Sequence, residues 1–205
     1  IRNCDWSSDV CSSDLRYSGP APSLVVPGPG GAHNWQPMAY SPDTGLVYMP
    51  VRDAGFPYFA DQEYARTRLG FNTGVDFNKA SMPQDPQIKA QVLGSIKAYL
   101  QAWDPVMQSE AWRVEYPGPS NGGVLATAGN LVVEGTAGGD FIAYRADNGE
   151  VLWEINLGSA VTGFPITYAV DGRQYVVAST GSRVEGLTPE LRPSSGNNLF
   201  VFALP

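Results

Sequence analysis

Three short polar side chains stand at matching places ahead of, or at the head of, three similar stretches. Asn34 precedes "QPMAYS", Asn121 opens "NGGVLAT", and Thr162 precedes "GFPITYAV". Amides and hydroxyls converging from separate strands can donate and accept hydrogen bonds, which suits a planar ligand rich in carbonyl oxygens. Asn34 sits between His33 and Trp35, and each of the three admits two roles. Asn34 contacts a ligand carbonyl or satisfies the backbone of a turn, Trp35 faces a substrate or packs, and His33 acts as a base or holds the loop.

The elements that must position these residues recur along the chain. "AWDPVMQSEAW", from Ala102 to Trp112, and "AYRADNGEVLW", from Ala143 to Trp153, place Ala and Trp at one spacing and lie 41 residues apart. Each is preceded and followed by an apolar strand-like run. Between and after them lie "NGGVLATAGNLVVEGT" and "TGFPITYAVDGRQYVVASTG", each reading as two strands around a turn, and "NWQPMAYSPDTGLVYMPV" has the same shape with its turn at Pro42 to Gly45. The end of the chain, "NNLFVFALP", resembles the strand that opens each Ala-to-Trp motif. Four short strands in about 40 residues is the period of a β-propeller blade. The expected fold is therefore all-β, a partial propeller of about three four-stranded antiparallel blades. A blade alone cannot cover both faces of its sheet, so blades stack, and Trp112 and Trp153 are expected to fill the seams between them. Asn148-Gly149 is expected at a hairpin tip. Arg52 to about Ser95 reads as an insertion between the second and third strands of the first blade, with a helical patch at "DPQIKAQVLGS"; Gly181 to Asn198 reads as a shorter excursion.

The first residues belong to none of this. "DWSSDVCSSDL", Asp5 to Leu15, has neither helical nor strand periodicity, and one frame of a common short-read sequencing adapter encodes it. Residues 1–15 are read as an adapter-derived artefact and residues 16–205 as the C-terminal part of the propeller. Both cysteines, Cys4 and Cys11, then fall outside the native part, so neither a disulfide nor a thiolate metal site is read from them. Setting aside Arg2, Asp5, Asp9 and Asp14 changes the net charge from −7 to −5, an acidic balance that argues against a nucleic-acid surface. No apolar run approaches the roughly 18 residues of a membrane helix. The chain begins with Ile1 rather than Met, so the true N-terminus is expected upstream.

The Ala-to-Trp repeats resemble the tryptophan-docking motif Ala-x-Asp-x-x-Thr-Gly-x-x-x-Trp of the quinoprotein dehydrogenases, eight-bladed propellers that use pyrroloquinoline quinone (PQQ). The copy at Ala102 keeps Asp104 and Trp112 but has Met107 and Gln108 for Thr-Gly; the copy at Ala143 keeps Gly149 and Trp153 but has Arg145 for Asp and Asn148 for Thr. "GGAHNWQPMAYSPDTGLVYMP", Gly30 to Pro50, closely resembles a segment of the alcohol dehydrogenases in that family, and "YPGPSNGGVLATAGNLVVEGT" and "GRQYVVASTG" resemble later segments in the same order.

The resemblance implies oxidation of small alcohols to aldehydes, with hydride passing to PQQ, a carboxylate taking the hydroxyl proton and Ca²⁺ polarising the quinone. It implies Asn34 near the quinone carbonyls with Trp35 beside it, and Asn121 as a further cofactor contact, although Ser120 stands where many relatives carry Trp. The base, the Ca²⁺ ligands and the groups holding the cofactor's carboxylates are expected upstream, so no catalytic or metal-ligating residue is assigned in this chain. Asp43 lies in a Pro-Asp-Thr-Gly turn and Asp104 in the docking motif. A cytochrome c or quinone-linked electron acceptor, a haem c domain beyond the chain and a periplasmic location follow from the same resemblance. A scaffold propeller of outer-membrane assembly type and a sugar dehydrogenase of the same cofactor class are the alternatives. The piece alone is expected to be inactive and to expose apolar surface on the flank of its first blade.

Overall fold

The computed structural model describes residues 21–66, 68, 73–116, 118, 121–181 and 196–203. Residues 1–15, Ser120 and most of the Gly181–Asn198 excursion lie outside them.

Three antiparallel sheets follow one another along the chain. The first takes β2 (Ala39–Ser41), β3 (Leu46–Asp53), β5 (Lys97–Asp104) and β6 (Ser109–Tyr116), hydrogen-bonded in that order. The second takes β7 (Asn121–Thr127), β8 (Leu131–Thr136), β9 (Asp140–Arg145) and β10 (Val151–Asn156), again in chain order. The third takes β11 (Ile166–Val170), β12 (Arg173–Ser179) and β13 (Leu199–Ala203), so among the described residues it has three strands where the others have four. Within these three sheets neighbouring strands are sequence neighbours, except where the insertion separates β3 from β5.

That insertion falls where the sequence places it. It holds β4 (Phe56–Tyr58), which pairs with β1 (Ser23–Val25), and α1 (Pro86–Ser95). Asp85 caps α1: its Oδ1 accepts from the amides of Gln87 and Ile88 at 2.8 and 3.0 Å, with Pro86 in the first turn. No residue of α1 is buried.

The sheets pack face to face, and the middle one shows why its strands are nearly continuous in apolar residues. Alternate side chains of a strand point to opposite faces. Val132, Ile142 and Tyr144 accordingly join Leu46, Tyr48, Leu100 and Ala102 of the first sheet in one core. Val133 and Phe141 join Ala178 in the other, with Val176, Phe200 and Phe202 packed against it. Both faces are covered, so both parities are apolar.

The two tryptophans occupy these seams. The Trp112 indole donates from Nε1 to the Ala146 carbonyl at 3.1 Å, and the Tyr48 hydroxyl donates to the same oxygen at 2.9 Å. Trp153 lies edge-on to Phe202 of the third sheet, with ring centroids 5.3 Å apart. A second link across the first seam is the Tyr116 hydroxyl, which donates to the carboxylate of the fully buried Glu134 at 3.1 Å.

The turns follow the repeat. Gly149 takes φ +75° at the tip between β9 and β10, and Gln108 is held at φ 50° at the matching tip between β5 and β6. On the first sheet Val51 and Tyr99 are buried and Arg113 lies over the Tyr99 ring, while Tyr40 is exposed. The larger apolar exposure is on the third sheet, at Ile166, Tyr168, Val170, Leu199 and Val201.

Candidate functional site

The lead-in to β2 is fastened along the end of β3. His33 Nδ1 hydrogen-bonds the Pro50 carbonyl at 2.8 Å, and the Arg52 amide donates to the Ala32 carbonyl at 2.8 Å. A carbonyl can only accept, so His33 carries its proton on Nδ1 and presents Nε2 as an acceptor. Holding the loop therefore accounts for His33. Asn34 Nδ2 donates to the Gly30 carbonyl at 3.0 Å, which closes a turn and leaves Oδ1 and the second N–H of the amide for a ligand.

Beyond this turn the innermost strands crowd together. The Val124 amide donates to the Pro37 carbonyl at 3.0 Å and the Gly123 amide to the Gly163 carbonyl at 3.1 Å, tying all three sheets at one point. A Cβ on Gly123 would lie 2.5 Å from Pro37 Cγ and 2.9 Å from Phe164 Cδ1, so only glycine fits there. Trp35 meets Phe164 edge-to-face with centroids 5.7 Å apart, a favourable aromatic geometry, while its ring stays 62% exposed.

A cleft of about 150 Å³ opens beside this junction, lined by Ala32, His33, Asn34, Trp35, Gln36 and Pro50 to Arg52. It thus brings together Asn34, Trp35 and His33. Asn121 is the first residue of β7, two positions from Gly123. Thr162 is buried in the lead-in to β11, next to Gly163, and does not line this cleft.

Gln36, Arg52 and Phe164 are the site residues that sequence reasoning missed. Gln36 stands two positions after Asn34 and Phe164 two after Thr162, so extended-chain parity could have drawn both in. Nothing local marks Arg52, which comes to the cleft only because β3 runs back past the lead-in.

The carboxylates do not assemble a metal centre. Among the described residues no group of three or more His, Cys, Asp or Glu side chains could hold a metal ion. Asp104 Oδ1 accepts from the amides of Val106 and Met107, each at 2.9 Å, so it organises its own turn. No helix among the described residues is long and apolar enough to cross a membrane.

Comparison with known proteins agrees with this architecture. The family described as "PQQ: Glucose/ethanol/alcohol dehydrogenase, beta-propeller domain" matches residues 90–176. The quinohemoprotein alcohol dehydrogenase of Comamonas testosteroni is 44% identical over 166 residues, covering 80% of this chain and 23% of that protein. The 1-butanol dehydrogenase (cytochrome c) of Thauera butanivorans is 39% identical over 168 residues, covering 78% of this chain and 23% of that protein. Among solved structures, quinohemoprotein alcohol dehydrogenase ADHIIG from Pseudomonas putida HK5 superposes with a TM-score of 0.73 at 44% identity, over 81% of this chain and 24% of that one. The chain spans about a quarter of the length of the relatives it matches. Stacked sheets, tryptophan-filled seams and these matches together make the chain a segment of the propeller of the PQQ-dependent alcohol dehydrogenase family.

Proposed function

We propose that the full-length protein carrying this segment is a periplasmic dehydrogenase that oxidises small alcohols to aldehydes and passes the electrons to a cytochrome c. The observation that carries this reading is the cleft at the junction of the innermost strands, where Asn34, Trp35 and Gln36 stand together in a chain 44% identical to a quinohemoprotein alcohol dehydrogenase.

The residues present fit a planar quinone with acidic substituents. Amides at Asn34 and Gln36 suit carbonyl oxygens, Arg52 suits a negative charge, and Trp35 and Phe164 offer aromatic surface. When bound, PQQ supplies the two-electron acceptor for the hydride released from the alcohol carbon. Asn34, with Asn121 as the second contact the family resemblance implies, orients the carbonyl edge; Trp35 shields it from water. Asn34 moves no proton, because a carboxamide is neither acid nor base near neutral pH. Among the described residues no group of carboxylates offers a Ca²⁺ site; the family resemblance implies that the ligands of that ion lie outside this segment.

The experiment is dye-coupled oxidation by the full-length protein. Reduction of a redox dye with ethanol is expected when PQQ and Ca²⁺ are supplied and not when either is withheld. Turnover of glucose in place of ethanol would move the protein to the sugar-oxidising branch that the matched family also includes. Reduction of neither would fail the enzyme reading.

A further inference from the structure

Two polar side chains of the cleft have no work inside the described structure. Gln36 is only 9% exposed as a residue and lines the cleft; its amide has no hydrogen-bond partner among the described residues, and its polar atoms are not sealed from solvent. Arg52 is half-buried on the cleft wall, and its guanidinium makes no ion pair with a described residue. It is packed against the backbone of Gly30, where a Cβ would collide with its Nη2. The missing Cβ at Gly30 leaves room for that guanidinium beside the loop whose turn Asn34 closes.

A half-buried cation gains from an anion brought beside it in the cleft, and the Gln36 amide has donors to spare for the same ligand. Both carry N–H donors that one anionic acceptor can use. A guanidinium presents its N–H donors in a planar fork that matches a carboxylate, and the Gln36 N–H groups add donors to the same anion. His33 has its Nδ1 committed to Pro50. The volume selects the ligand's size. At about 150 Å³ the cleft is smaller than the roughly 300–1,000 Å³ of pockets that enclose whole ligands, so it takes one carboxylate-bearing edge.

We propose that Arg52 and Gln36 form a carboxylate subsite, and that its ligand is a carboxylate on the rim of the quinone cofactor whose carbonyl edge Asn34 faces. This rests on the functional reading above and adds to it a charge contact within this segment, beside the groups expected upstream.

The test is equilibrium binding, with PQQ as the probe and quenching of tryptophan fluorescence in the full-length apo-protein as the readout. Arg52→Ala is expected to weaken binding by about 10- to 100-fold, the worth of a charge-assisted contact. Arg52→Lys should recover part of that loss, and Gln36→Leu should weaken binding by about 3- to 10-fold. The decisive control is the trimethyl ester of PQQ, which has no carboxylate charge. Wild type and Arg52→Ala should bind it equally. Equal affinity of the two proteins for PQQ itself overturns the subsite, as does a difference that persists with the ester. A lower melting temperature of apo Arg52→Ala with unchanged PQQ affinity overturns it too, assigning Arg52 to an ion pair within the protein. If folded wild type binds no PQQ at all, the functional reading fails first and takes this one with it.

Discussion

The Ala146 carbonyl accepts two donors from the neighbouring sheet, the Trp112 indole and the Tyr48 hydroxyl. Trp112→Phe keeps most of the ring volume and loses one hydrogen bond, so a loss of about 1 kcal/mol is expected. Trp112→Ala also empties the seam and should cost about 3–5 kcal/mol; urea unfolding of the full-length protein separates the two. Gly149 belongs to the same contact: it needs φ +75°, and a Cβ there would lie 2.7 Å from Trp112 Cε3. Its repeat-mate Gln108 tolerates φ 50° and so already carries some of that strain. At the cleft, Asn34→Ala removes the amide that faces the proposed cofactor as well as the bond to Gly30. Dye-coupled turnover is expected to fall by about 5- to 100-fold, and unchanged turnover would remove Asn34 from the site.

At the scale of elements, β8 and β9 are covered on both faces while α1 buries nothing. Local opening should follow that difference. Hydrogen exchange read by mass spectrometry is expected to be at least about 100-fold slower in β8 than in α1; similar rates would mean that the insertion is docked in a way the described contacts do not show. Burial also pushes the phenol of Tyr144 on β9 far above its ordinary value, with the buried Glu134 adding to the effect, and raises Tyr48 to a lesser degree. A raised folded-state value means the native form keeps the proton longer than the unfolded chain. The contribution is therefore whole below about pH 10, the ordinary tyrosine value, and is lost as pH rises beyond it. The urea midpoint should fall above about pH 10, and less steeply in Tyr144→Phe. A midpoint flat to pH 11 would contradict the burial of these rings.

For the molecule as a whole, the two cores are seams between sheets, and among the described residues the third sheet has an apolar face with no sheet against it. Ile166, Tyr168, Val170, Leu199 and Val201 are all exposed there. The 205-residue chain expressed by itself is expected to bind a hydrophobic dye, to scatter light as it self-associates, and to oxidise no alcohol. In the full-length protein the dye signal per molecule should fall, because propeller sheets complete their cores against neighbours. A monodisperse, dye-silent 205-residue chain would show that this face is covered by other means.

The sequence alone determined the sheets, their order, the place of the insertion and the seam-filling roles of Trp112 and Trp153, because each rests on local periodicity and on a repeat of 41 residues. It also singled out Asn34 and Trp35, which lie in one contiguous stretch. The makeup of the cleft was decided by tertiary structure. Arg52 reaches Gly30 only because β3 turns back past the lead-in, and Phe164 reaches Trp35 only because two sheets converge on Gly123. Neither contact leaves a periodic trace, since the residues concerned are far apart in the chain and meet through the packing of whole elements. That is also why His33 and Thr162, equally suggestive as letters, are accounted for by a hydrogen bond to Pro50 and by burial beside Gly163.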